Sequence, residues 1–124
     1  MPVICDPDAS GRFAVVTVTD PYVIADWRRA TDDALASSVF RAQRALLVDR
    51  RLSVAPTTAF VDAIVAFLSE HQSEFADSRV AVVVRDTAGY GMGRMTQLKG
   101  EDSVHMTIAP FRDYDAAVRW LMTS

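Results

Sequence analysis

Two hydrophobic periods run along this chain, and the switches between them mark out its elements. Ala45-Leu46-Leu47-Val48-Asp49 and Val80-Ala81-Val82-Val83-Val84 are apolar without alternation. Short continuous runs of this kind read as strands buried on both faces. Between them Phe60, Ile64, Phe67, Leu68, His71 and Phe75 lie on one stripe of helical period, widened by Val61 and Val65. That stripe predicts an amphipathic helix from near Pro56-Thr57-Thr58 to Phe75. Strand, helix, strand at this spacing predicts a parallel βαβ unit, whose sheet must be covered on both faces.

The flanking segments extend the pattern. Residues 2–6 predict a short edge strand limited by Pro2 and Pro7, and Ala9-Ser10-Gly11-Arg12 a turn into a β-branched strand from Phe13 to Thr19. Asp20-Pro21 has the form of an N-cap followed by a first helical residue. It predicts a helix over about 21–36 with Ile24, Trp27, Ala34 and Leu35 inward. Asp32 and Asp33 sit late in it, where the helix dipole disfavours acids, so it is expected to be the least stable long helix. A third helix is predicted over about 90–99, stopped by Gly100. Val104, Met106 and Ile108 alternate with His105, Thr107 and Ala109 as a last strand. Asp113 caps a final helix with Ala117, Val118, Trp120 and Leu121 inward. The predicted fold is α/β: one domain over 1–124, with a mixed, mostly parallel five-stranded sheet and about four helices in the order β-β-α-β-α-β-α-β-α.

Composition narrows the classes. A chain of 124 residues, half of them hydrophobic, can bury a core that needs neither disulfide nor metal. The single cysteine, Cys5, rules out an internal disulfide and points to a reducing cytoplasm. No apolar stretch approaches the roughly 20 residues of a spanning helix, and no secretory leader is evident at the start. A net charge of −3 gives no electrostatic reason to expect nucleic acid.

The order of elements and three segments resemble a known group. The segments are Ala45-Leu46-Leu47-Val48-Asp49 leading into the helix at 57–75, Arg79-Val80-Ala81-Val82-Val83, and the ending Phe111-Arg112-Asp113-Tyr114-Asp115-Ala116-Ala117-Val118-Arg119-Trp120-Leu121. They resemble the SpoIIAA-like proteins of the STAS (sulfate transporter and anti-sigma factor antagonist) and SEC14/CRAL-TRIO-like fold group. The resemblance implies a small bacterial regulatory module, with lipid binding in the SEC14-like branch. It is a resemblance of fold. Where the antagonists of that group carry an Asp-Ser-Ser-Gly phosphoserine segment, this chain has Ala55-Pro56-Thr57-Thr58-Ala59. A phosphate on Thr57 or Thr58 would still meet a positive helix end, but a plain threonine cap explains the same residues.

Candidate chemistry gathers at the carboxyl ends of the predicted strands, the usual ligand edge of such sheets. Gly89-Tyr90-Gly91-Met92-Gly93-Arg94 precedes a helix and reads first as a flexible connection. Its amides and Arg94 can also be turned to an anion. It matches neither the dinucleotide nor the P-loop fingerprint. Asp49-Arg50-Arg51 and Arg85-Asp86 read as local salt bridges, with Arg50, Arg51, Arg85 and Arg94 converging on an acidic ligand as the sharper alternative. Met92, Met95, Tyr90 and Leu98 give the third helix a soft apolar face. His71 reads as half-buried, His105 as a strand residue and Cys5 as a small apolar side chain. None has the neighbours of a metal site.

Two functions fit. The first is a non-catalytic interaction or regulatory module that binds a protein partner, or a second copy of itself, through the edge carrying 50–59 and 86–95. Its candidate contacts are Arg50, Arg51, Thr57, Thr58, Asp86, Tyr90, Met92 and Arg94. The second is a carrier of a small lipid or another apolar or anionic ligand, with a cavity between the sheet and the helices at 90–99 and 113–122. No cofactor, metal or catalytic set is assigned.

Overall fold

The computed structural model describes residues 2–123. Five strands, β1 (Val3–Pro7), β2 (Ala14–Thr19), β3 (Ala45–Leu52), β4 (Arg79–Val83) and β5 (Thr107–Phe111), form one sheet in the order β1-β2-β3-β4-β5. β1 and β2 pair antiparallel and every later pair is parallel. The helices are α1 (Ile24–Ala36), α2 (Ser38–Gln43), α3 (Thr58–Glu70), α4 (Gln72–Phe75), α5 (Thr87–Ser103) and α6 (Tyr114–Met122). No helix is long and apolar enough to cross a membrane among the described residues.

The crossovers step one way across the sheet, from β2 to β5. Right-handed connections that never reverse direction put their helices on one face. The two hydrophobic clusters fit this. The larger joins Val16, Leu46, Val48, Val80 and Ile108 to side chains of α1, α2, α3 and α4. The smaller joins Phe13, Leu47, Ala81 and Val83 to Ala117 and Leu121 of α6. One face of the sheet therefore lies under three crossover layers, while α6 alone packs on the other, against β3, β4 and β5.

The last strand begins at Thr107 rather than Val104, because α5 runs on to Ser103, and four other boundaries differ from the sequence expectation. The first long helix starts at Ile24 rather than at Pro21, because the Asp20 carboxylate accepts from the Val54 amide (2.7 Å) in the β3–α3 connection instead of capping. The extra helix α2 is capped at its start by Ser37, whose Oγ accepts from Phe40 N, and stopped by Arg44 in the left-handed region (φ 56°). The predicted 57–75 helix is broken at His71. Phe75 stays on the same buried stripe, which is why the periodicity conceals the break.

The glycine-rich segment is the fourth of these differences. It is not a flexible connection but the first turns of α5, which runs through Gly100 to Ser103. Glycine costs helix about 1 kcal/mol relative to alanine, yet here it permits contact. A Cβ on Gly93 would lie 2.7 Å from Pro110 Cβ, and one on Gly100 2.8 Å from Ile108 Cδ1. With Gly93 and Gly100 bare, α5 lies directly on β5.

Candidate functional site

Successive strand residues point to opposite faces, and this separates the two arginines expected to converge. Arg51 turns toward α6. It makes a two-pronged ion pair with Asp49 (Nε–Oδ1 3.0 Å, Nη2–Oδ2 2.9 Å), and its guanidinium lies over the Tyr114 ring at 4.4 Å. That bond to Asp49 pushes the Arg51 pKa up. The Tyr114 hydroxyl is also pushed up, by burial first and then by Asp8 and Asp49.

Arg50 turns the other way, under α1 and α3, and is only 5% exposed. Its guanidinium sits over the rings of Tyr22 (5.4 Å) and Phe60 (5.9 Å). Nη2 donates to Tyr22 Oη and, at 3.5 Å, to the Val54 carbonyl. Nη1 is buried without a partner. Among the described residues no carboxylate forms an ion pair with Arg50.

Beside Arg50 is a cavity of about 60 Å³ between the sheet and helices α1, α3 and α5. The sheet gives it Leu46, Val48 and Val80, and α3 gives Ile64 and Leu68. Half-buried Pro56 and Met92 also line it, at the carboxyl edge. Three buried side-chain polar atoms in the described chain have no hydrogen-bond partner: Trp27 Nε1, Thr31 Oγ1 and Arg50 Nη1. All three belong to residues lining this cavity. Thr96, the other polar residue of the wall, is satisfied through Met92 O (3.0 Å).

The remaining expected site residues do not join it. Thr57 caps α3, its Oγ1 accepting from Phe60 N (3.1 Å), and Thr58 is exposed at the first turn. The Asp86 carboxylate accepts from Gly89 N (2.8 Å), so an acid of the chain itself occupies the helix end proposed for an anion. Arg85 lies 3.7 Å from Asp86. Arg94 is exposed and donates to Gln97 Oε1 (2.8 Å), and Tyr90 is exposed on α5. Of the eight candidates only Arg50 and Met92 line the cavity. The cavity lies between the sheet and α5 but not under α6, which packs on the opposite face, so it is not the expected one beneath both helices.

The other reactive types are engaged elsewhere. His71 Nδ1 lies 3.0 Å from Phe67 O and its Nε2 3.2 Å from Asp32, while His105 pairs with Asp77 at 2.9 Å. Burial, then Asp33 and Asp6, push the Cys5 thiol up. No group of three or more His, Cys, Asp or Glu capable of holding a metal occurs among the described residues. At the amino edge of the sheet an open cleft of about 420 Å³ includes Arg12, Arg44 and Arg79. Arg44 and Arg79 there donate to the carbonyls of Glu74 (2.6 Å) and Trp120 (2.8 Å), the cationic capping usual at helix ends.

Sequence reasoning missed Trp27, Thr31 and Tyr22 as site residues. One signal was present: Thr31 is a polar side chain on the otherwise apolar stripe of α1, one turn after Trp27. Comparison with family models, curated proteins and solved structures finds no match to this chain.

Proposed function

We propose that this chain is a non-catalytic regulatory module that binds a small molecule in the cavity under α1, α3 and α5. The carrying observation is that Trp27 Nε1, Thr31 Oγ1 and Arg50 Nη1, buried polar atoms without partners among the described residues, belong to three side chains that line one apolar cavity. Leaving such a group unsatisfied costs about 1–3 kcal/mol each. Three around a single cavity mark a surface made to be completed from outside the chain. The volume favours a ligand well below the roughly 300 Å³ of drug-sized sites, and so a small molecule rather than a lipid chain. The non-catalytic part of the reading rests on Asp49, Asp86 and His71, none of them a lining residue, being tied into ion pairs, caps and carbonyl contacts. Membership of the SpoIIAA-like, STAS-type group is part of the same proposal and rests on the three segments that resemble it.

The chain has two tryptophans, Trp27 in the cavity wall and Trp120 on the opposite face. Each indole N–H gives its own amide-type NMR signal. Titrating small neutral and anionic organic molecules into nitrogen-15-labelled protein should move the Trp27 signal and leave Trp120 in place. A Trp27 signal unmoved by every probe would overturn the reading.

A second reading, a protein-interaction module that pairs with a second copy of itself, is favoured by one observation. Val23, Leu52 and Val54 are 61%, 63% and 55% exposed, and Asp20 ties their segments together through Val54 N and Leu52 O. Light scattering on the purified protein tests it. A dimer that Leu52→Ser with Val54→Ser converts to monomer supports it, and a monomer at all concentrations removes it.

A further inference from the structure

We infer that the ligand of this cavity is a short monocarboxylate, an acid of a few carbons whose carboxylate is held by Arg50 Nη1. The inference rests on the small-molecule reading above and adds the charge and size of the ligand.

The charge follows from Arg50. A guanidinium does not lose its proton in a protein, so burial cannot neutralise it as it would a lysine. A buried charge is expensive unless an opposite charge accompanies it. Yet Arg50 is almost wholly buried with no ion-pair partner among the described residues. Tyr22 and Phe60 hold the guanidinium by their ring faces, and Tyr22 Oη and Val54 O take Nη2. These contacts fix its orientation without cancelling its charge. They leave Nη1 of this cavity-lining residue without a partner. An anion there supplies the missing charge.

The kind of anion follows from the donors. One free guanidinium nitrogen, one indole N–H and one hydroxyl suit the two oxygens of a carboxylate. A phosphate carries more charge and more oxygens than these donors can match. Apart from Thr96, whose hydroxyl is taken up by Met92 O, the other side chains of the lining are apolar, which suits an alkyl tail. The size follows from the volume: the cavity is about 60 Å³, against the roughly 150 Å³ that accommodates benzene in an engineered protein core. Acetate and propionate are in range. Long acyl chains are not.

The test compares each acid with its uncharged isostere: acetate with acetamide and propionate with propionamide, followed at the Trp27 indole signal of the intact chain. The expected result is binding of the acids at least about tenfold tighter than the amides, the scale of one hydrogen bond to a charged group. Hexanoate should bind more weakly than propionate. Arg50→Met should bring acid and amide to near parity while leaving their contact with Trp27. Should that variant fail to fold, the acid–amide ratio on the unaltered chain decides alone. Equal affinity for acid and amide, or affinity that climbs with chain length, overturns this inference but keeps the cavity as a small-molecule site. If neither acids nor amides move Trp27, the cavity serves only to hold water and the functional reading falls with it.

Discussion

A Cβ placed on Gly93 would come within 2.7 Å of Pro110 Cβ, a separation that real side-chain carbons do not adopt. The helix carrying Gly93 thus lies on the strand carrying Pro110 with no side chain between them. Gly91, two residues earlier on the same helix, would meet nothing within 4 Å. The pair separates two effects that glycine substitution usually mixes. Gly91→Ala should stabilise the protein by about 0.5–1 kcal/mol through helix propensity alone. Gly93→Ala gains the same propensity but drives a methyl into a rigid ring, and overpacking of about 1–3 kcal/mol should win. Urea denaturation of the two variants checks the signs. Stabilisation by both would mean that α5 does not lie against β5 as described.

Thr57 caps α3 through Oγ1 and Phe60 N. Thr57→Ala should cost about 1 kcal/mol, whereas Thr57→Asp should be nearly neutral, since aspartate caps as well and adds charge at the positive helix end. Thermal unfolding of the two variants measures this. A phosphate on Thr57 would be accommodated for the same electrostatic reason, so loss of stability in Thr57→Asp would count against any phosphoacceptor role at this position.

Tyr114 links stability to alkaline pH. Its hydroxyl ordinarily loses its proton near pH 10.0, and burial with the charges of Asp8 and Asp49 raises that value in the fold. The unfolded chain therefore gives up this proton first. The stabilisation is complete below pH 10.0 and is lost as pH rises from there through the folded value. Denaturation midpoints followed from neutral pH to above 10.0 should fall, and Tyr114→Phe should flatten the fall. An identical fall in Tyr114→Phe would assign it to other groups.

Cys5 offers a chemical check on β1. The thiol is pushed up from its ordinary 9.0 by burial and by Asp33 and Asp6, so little of it is thiolate at neutral pH. Alkylation by iodoacetamide should be slower than that of free cysteine and should speed up in urea as β1 is released. A rate equal to free cysteine in the native protein would place Cys5 in open solvent.

What the sequence made legible was what a single element decides. The strands at 45–49 and 80–84 stood out because strands buried on both faces need uninterrupted apolar runs, and the Asp113 cap and a threonine cap at 57 or 58 because capping is local. The start of α1 was misplaced because the Asp20 carboxylate bonds across to Val54, a contact made by folding rather than by neighbours in sequence. The continuation of α5 through its glycines was hidden likewise, since the reason for them is Pro110, on the next strand. Arg50 and Arg51, expected to converge, part because strand residues alternate: two residues beyond Val48 and four beyond Leu46, Arg50 shares their face, while Arg51 shares that of Leu47 and Asp49. The cavity was not readable. It is the volume left where three helices and a sheet meet, and the polar residues of its wall come from helix and strand positions far apart in the chain.

A high-resolution crystal structure of the protein grown in propionate tests the Arg50 site most directly. A carboxylate should be found within about 3 Å of Arg50 Nη1, with its ethyl group toward Leu46 and Val48. Ordered waters alone, joining Arg50 to Trp27 and Thr31 at saturating propionate, would contradict it.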